Sequence, residues 1–176
     1  MLWNKFLDLN LKLAHPNMTN EPETERIFKS VIDDPNAFEV HDPNCKISDK
    51  PMFSLRYGDC NGVVLLNHAF AGLSHYDLSS IKSGCYLMEL IEAMRGFSNS
   101  DDLVSIIIGG DENHFRRNEK NLRHHNIPVV GYYLDLWAQG KSLPSGFNEA
   151  TKDLVVIPNT KEVILYSKPV GYVKLH

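Results

Sequence analysis

The sequence predicts an α/β protein of the α+β sandwich type, a mixed β-sheet packed against two or three helices. Three observations carry that expectation. Short apolar runs of strand character outnumber the helical segments. Two of the helical segments fall between strands. The composition suits one core: of 176 residues, 43% are hydrophobic and 23% charged, ordinary for a soluble domain of this size.

The elements follow in chain order. Leu7 to Leu13 alternates leucine with polar residues, as a half-buried strand does, while Leu2, Phe6, Leu9 and Leu13 recur at helical spacing. Both readings stand. Asn20 to Asp33 reads as a helix, with Asn20 as cap, Pro22 near the first turn and Ile27, Phe28, Val31 and Ile32 on one face. From Asp34 to Pro51, three prolines and scattered Asn and Asp suggest a long irregular connection that contains Cys45. The chain therefore divides into an N-terminal extension over 1–51 and a main domain over 52–176.

In the main domain, Met52 to Tyr57 suits a strand, Gly58-Asp59 a turn and Val63 to Leu66 a buried strand. Ala69 to His75 is the next strand, where Gly72 allows a bulge or a close backbone approach. Gly84 to Arg95 reads as a helix with Leu87, Leu90, Ile91 and Met94 inward, closed by Gly96. Leu103 to Ile108 is an apolar strand ending at Gly109-Gly110. His114 to His125 is a polar helix with Asn126 at its end, and Ile127 to Tyr133 is a strand. Asp153 to Ile157 and Glu162 to Tyr166 form a hairpin around Pro-Asn-Thr-Lys.

Charge and cysteine usage narrow the function classes. With 18 Lys and Arg against 22 Asp and Glu, the formal charge is −4, and no basic run points to nucleic acid. The three cysteines, Cys45, Cys60 and Cys85, are an odd and sparse set that fits a reducing compartment. The absence of a CxxC pair argues against structural zinc. Asp8 and Lys12 interrupt the N-terminal apolar residues, and no stretch has the length needed to span a bilayer. The expectation is a soluble, cytoplasmic protein without membrane insertion.

The residues with chemistry lie in Ser54-Leu55-Arg56-Tyr57-Gly58-Asp59-Cys60 and in Gly72-Leu73-Ser74-His75. Cys60 precedes one strand and His75 closes the next, so an antiparallel pairing would bring the two to one end of the sheet. A cysteine needs such a base because the thiolate, not the thiol, attacks a carbonyl carbon. On residues alone, Cys60 also fits a small core position beside Val-Val-Leu-Leu. His114, His124 and His125 crowd one helix, but their spacing suits a solvated face better than a metal site.

From Ser54 to about Ser167 the chain resembles the CheD family of chemoreceptor glutamine deamidases. That family carries a Thr-Leu-Gly-x-Gly-Ser-Cys pattern, which Ser54 to Cys60 matches, and a Gly-x-x-His motif, which Gly72 to His75 matches. Gly109-Gly110 follows a hydrophobic strand as in the family, Phe115-Arg116-Arg117-Asn118 echoes a Gly-x-Arg-Asn helix start, and Ile127-Pro128-Val129-Val130 is literal. The chain departs from the pattern in having Ser54 for Thr, which keeps the hydroxyl, and Asp59 before Cys60, whose charge disfavours a thiolate unless it points away. Tyr132 to Trp137 replaces a Gly-Gly-rich stretch.

The resemblance implies a cysteine-dependent protein-glutamine deamidase with no metal and no cofactor. Cys60 would be nucleophile, His75 base and Ser54 the group that orients the imidazole. Backbone N–H groups around Gly58, Asp59 and Cys60 would hold the oxyanion. The partner is a protein substrate carrying a Gln or Asn side chain, with a regulatory protein as a further partner. The protein N-terminal asparagine amidohydrolases share the logic, with a Leu-Thr-His motif similar to Leu73-Ser74-His75. A non-catalytic regulatory binding module on the same fold is the third reading.

Overall fold

The computed structural model describes residues 10–14, 22–57, 60–76, 83–97, 102–133 and 148–170. They form an α+β sandwich of two mixed five-stranded sheets and three helices. In chain order the elements are β1 (Asn10–Ala14), α1 (Pro22–Ile32), β2 (Phe38–Glu39), β3 (Asn44–Ser48), β4 (Met52–Ser54), β5 (Gly62–Leu66) and β6 (Ala71–His75). There follow α2 (Ser83–Phe97), β7 (Val104–Ile108), α3 (Glu112–His124), β8 (Val129–Tyr133), β9 (Asn148–Ile157) and β10 (Glu162–Val170).

The first sheet has strand order β1-β10-β9-β4-β2 and the second β3-β6-β5-β7-β8. Side-chain alternation along each strand sorts residues to two faces. Met52, Leu154, Val156, Val163 and Leu165 of the first sheet pack on Val64, Leu66, Leu73, Val104, Ile106 and Ile108 of the second, so the sheets meet face to face. The alternate residues Val63, Leu65 and Ile107 pack on Leu87, Leu90, Ile91 and Met94 of α2 and on Leu122 of α3. Phe28 and Val31 of α1 cover Phe53, Val155 and Ile164 on the far side of the first sheet. The order of layers is α1, sheet, sheet, then α2 with α3. Burial on both faces is why β5 and β7 are mostly apolar instead of alternating, with Ser105 the polar exception.

Several expectations need correction. One sheet becomes two, because β4 pairs with the C-terminal hairpin strand β9, not with its chain neighbours. The Pro-containing stretch 34–51 carries two strands, β2 parallel to β4 and β3 antiparallel to β6. Cys45 therefore sits in β3, opposite Ser74, and not in a loop. Gly96 lies inside α2, which runs on to Phe97. The N-terminal segment is a strand over 10–14, parallel to β10; Leu7 and the proposed cap Asn20 lie outside the described residues. At Gly72 it is side chains of α2, not another backbone, that come close: a Cβ there would stand 2.9 Å from Leu90 Cδ1 and 3.2 Å from Met94. No helix among the described residues is long and apolar enough to cross a membrane.

Candidate active site

The two sheets contribute one side chain each to a buried polar contact at one end of the sandwich. Ser54 ends β4 in register with Leu154. It shares the inward face of Met52, two residues before it. His75 ends β6 on the inward face of Leu73. Both are buried, His75 with 4% of its surface exposed. Ser54 Oγ lies 2.8 Å from His75 Nδ1.

The direction of that bond follows from counting protons. The Ser54 hydroxyl donates to the carbonyl of Val40. Val40 stands beside β4 because its N–H donates to the Phe53 carbonyl at 2.8 Å, continuing the β2–β4 pairing. A carbonyl oxygen only accepts, and a hydroxyl has one proton. Ser54 Oγ is therefore the acceptor toward His75, and Nδ1 carries the hydrogen. In the neutral ring, the lone pair of a base then sits on Nε2, which is buried with the rest of the imidazole.

Tyr57 completes the setting. Its ring stacks on the His75 imidazole, with centroids 3.9 Å apart and planes 8° from parallel. Its hydroxyl donates to the Ser74 carbonyl at 2.7 Å. Burial pushes the phenol well above its ordinary range, and the nearby Ser54 hydroxyl only partly offsets this. Tyr57 is thus a neutral donor.

The phenol enters where β5 and β6 part. Asn61 and Tyr76 exchange both backbone bonds at 2.8 and 3.0 Å, and pairing resumes at Val64 and Leu73. Between these points the Val63 N–H donates to Ser74 Oγ at 2.9 Å, and that hydroxyl donates to the Val63 carbonyl at 3.2 Å. The Ser74 side chain thus takes over ladder bonds, and its freed carbonyl receives the phenol. Gly62 makes the room: a Cβ there would stand 2.5 Å from both Tyr57 Oη and the Ser74 carbonyl.

Cys60 lies just before this opening, half-buried and packed against the inter-sheet core that includes Tyr57. It is close enough for its charge to push the Tyr57 phenol further up. Asn61 faces Tyr76 across the strands, so Cys60 and His75 flank a shared bridge. A thiol, an imidazole and a serine hydroxyl are thereby gathered around one tyrosine ring. The Cys60 N–H donates to the Tyr57 carbonyl at 2.6 Å. This is one of the N–H groups expected near an oxyanion. Gly58 and Asp59, the other expected donors, lie outside the described residues.

On the opposite face of β5 and β6 runs a second polar cluster. Asn118 of α3 donates to Asn61 Oδ1 at 2.8 Å and to Tyr76 Oη at 2.9 Å. Asn61 donates to the Gly109 carbonyl at 3.1 Å. Burial pushes Tyr76 up to about 12, with the Asn118 bond and the Arg117 charge opposing it. This cluster clamps the strand that follows Cys60 to β7 and α3.

The remaining candidates go elsewhere. Cys45 packs against the α2 side, where burial and then Glu89 push its thiol up. His114 pairs with Asp111, the cap of α3, at 2.5 Å, and His125 with Arg95 at 3.2 Å. No three His, Cys, Asp or Glu side chains gather to hold a metal ion among the described residues. Sequence reasoning missed Tyr57, Gly62, Ser74 and the Val40 carbonyl. Only the aromatic residue inside the Ser54–Cys60 run was a signal in advance.

No family model and no curated protein matches the chain. Among solved structures it is similar to a hypothetical protein YfiH of Bacillus licheniformis, at 16% identity and a TM-score of 0.33 over 45% of this chain and 34% of that one. It is also similar to protein NMB0706 of Neisseria meningitidis, described under the family model DUF152, at 10% identity and a TM-score of 0.42 over 62% of this chain and 66% of that one. Likeness of this extent assigns no activity.

Proposed function

We propose that the protein is a cysteine-dependent amidohydrolase that deamidates a glutamine side chain of a protein substrate. The observation that carries this reading is the chain of bonds from Nδ1–H of His75 to Ser54 and from Ser54 to the Val40 carbonyl. It holds the imidazole in the tautomer whose lone pair is on Nε2, on the same inter-sheet side as Cys60. The match of Ser54–Cys60 and Gly72–His75 to the CheD pattern supports the same roles. The sparse cysteines support a reducing, cytoplasmic setting.

In this reading Nε2 takes the proton of the Cys60 thiol, and Sγ bonds to the carboxamide carbon as the C=O pair moves to oxygen. The pair returns to re-form the carbonyl, and the C–N bond breaks. Nitrogen leaves as ammonia with the proton from Nε2, and a thioester remains. Nε2 then takes a proton from water, and the hydroxide attacks the thioester. The C–S bond breaks and sulfur regains the proton, leaving a glutamate side chain. Ser54 keeps the ring in one orientation throughout, and no step calls on a metal.

The test is ammonia release from proteins bearing glutamine, and from peptides with N-terminal asparagine. Cys60→Ala is expected to abolish release, and His75→Ala to lower it by about 10²–10⁴-fold. Release unchanged by Cys60→Ala would end the hydrolase reading. A preference for N-terminal asparagine would move the substrate to the amidohydrolase alternative.

A further inference from the structure

The segment that carries Tyr57 and Cys60 leaves β4 and crosses to the other sheet, and the corner of that crossing is Arg56. Its φ is 60°, in the left-handed region. A residue with a Cβ enters that region at a cost, so the surroundings must hold it there. The Arg56 N–H donates to Oδ1 of Asp153 at 2.9 Å. Asp153 lies on β9, one residue before the register partner of Ser54, and is 7% exposed. Its neighbour Leu154 faces the inter-sheet core, so Asp153 is on the other face of the sheet. From there its carboxyl reaches the amide just past the end of β4. The next residue is the tyrosine that stacks on His75 and enters the opening between β5 and β6.

We infer that Asp153 is a positioning residue for the candidate site, holding Arg56 in its left-handed corner and so seating the Tyr57 ring on His75 beside Cys60. The inference rests on the hydrolase reading for what Cys60 and His75 do. The role itself is geometric: a residue remote in sequence fixes the backbone turn, and the turn places the ring. A general packing role for Asp153 would also make its loss harmful, so the test must isolate the path through Arg56.

Glycine supplies that isolation, because it takes φ > 0 without a Cβ penalty and does not need the carboxyl to hold it there. Four proteins are compared: wild type, Asp153→Ala, Arg56→Gly and the double variant. The first readout is the NMR shift of the His75 ring protons, which the stacked tyrosine displaces upfield. The second is the part of the Cys60 alkylation rate by iodoacetamide that His75→Ala removes. Asp153→Ala is expected to lose the upfield displacement and to lower the His75-dependent rate by about tenfold or more. Arg56→Gly keeps the displacement, and adding it to Asp153→Ala restores both readouts. Asp153→Asn, which retains an amide oxygen as acceptor, stays near wild type. An unaltered His75 shift in Asp153→Ala overturns the inference. So does a defect that Arg56→Gly fails to repair, including the case where neither Asp153→Ala nor the double variant folds. If wild-type alkylation does not depend on His75, the hydrolase reading fails, and the shift series still decides the role of Asp153.

Discussion

Strands β5 and β6 carry two buried polar clusters at the same end, one on each face, and the two are built from different chemistry. Toward α3, Asn61, Tyr76 and Asn118 join amides and a hydroxyl, and Tyr76 is held neutral up to about 12. Toward the other sheet, Cys60 and His75 gather around Tyr57 with Ser54. Imidazole and thiol are side-chain types that exchange protons in the physiological range; amides are not. In the cluster toward α3 the buried amides and hydroxyl bond to one another and to the Gly109 carbonyl. Only the cluster between the sheets contains an imidazole and a thiol. The adjacent residues Cys60 and Asn61 thus face opposite sides of the strand pair, one toward the inter-sheet core and the other toward α3.

The sharpest way to break this contrast is at Gly62. An alanine Cβ would meet the Ser74 carbonyl and Tyr57 Oη at 2.5 Å, and Tyr57 Cε1 at 2.7 Å. None of these is the loose end of a flexible side chain; one is backbone and the others belong to a ring held by its stack and its hydroxyl bond. Gly62→Ala is therefore expected to cost about 2–3 kcal/mol and to remove the His75-dependent reactivity of Cys60. Urea unfolding and iodoacetamide kinetics measure the two effects. An alanine variant with wild-type stability and reactivity would show that the tyrosine does not set this face.

Asn118→Leu probes the other face. It leaves Asn61 Oδ1 and Tyr76 Oη, both buried, without the amide that donates to them. Their desolvation then goes uncompensated, at about 2 kcal/mol in total. The loss should appear in the urea midpoint, while the folded fraction keeps the His75-dependent alkylation of wild type. A drop in reactivity as large as that of Gly62→Ala would merge the two clusters into one functional unit.

Legibility in the sequence follows the same division. The strands buried on both faces, β5 and β7, and the inward face of α2 at Leu87, Leu90, Ile91 and Met94 were plain because burial writes itself as apolar pattern. β3 was not, since its Asn-Cys-Lys-Ile-Ser is an exposed edge that becomes a strand through its pairing with β6. Nor was the split into two sheets, because pairing β4 with β9 joins segments far apart in the chain. At the site, Ser54, Cys60 and His75 stood out as a motif resemblance. The Val40 carbonyl, the Ser74 hydroxyl and Asp153 did not, because they act on backbone groups or across long sequence separations. Nor did Arg56, since arginine is not a residue that marks a φ of 60° in advance.

The smallest expected effect comes from the glycine on the helix side of the same strand pair, Gly72. A Cβ at that position would approach Leu90 Cδ1 at 2.9 Å and the Met94 Cγ and Sδ at 3.2 Å. These atoms are the ends of flexible side chains on α2, and a thioether adapts to a changed gap more readily than a ring or a carbonyl. Gly72→Ala also lowers the backbone entropy of the unfolded chain, which offsets part of the crowding. The net cost is expected below about 1 kcal/mol, with Cys60 alkylation unaffected. Measured beside Gly62→Ala under the same urea series, it isolates what the neighbours contribute, since both changes add one methyl group to a buried strand. Equal costs at the two positions would mean that strand burial alone sets the penalty, and that the rigid placement of Tyr57 adds nothing to it.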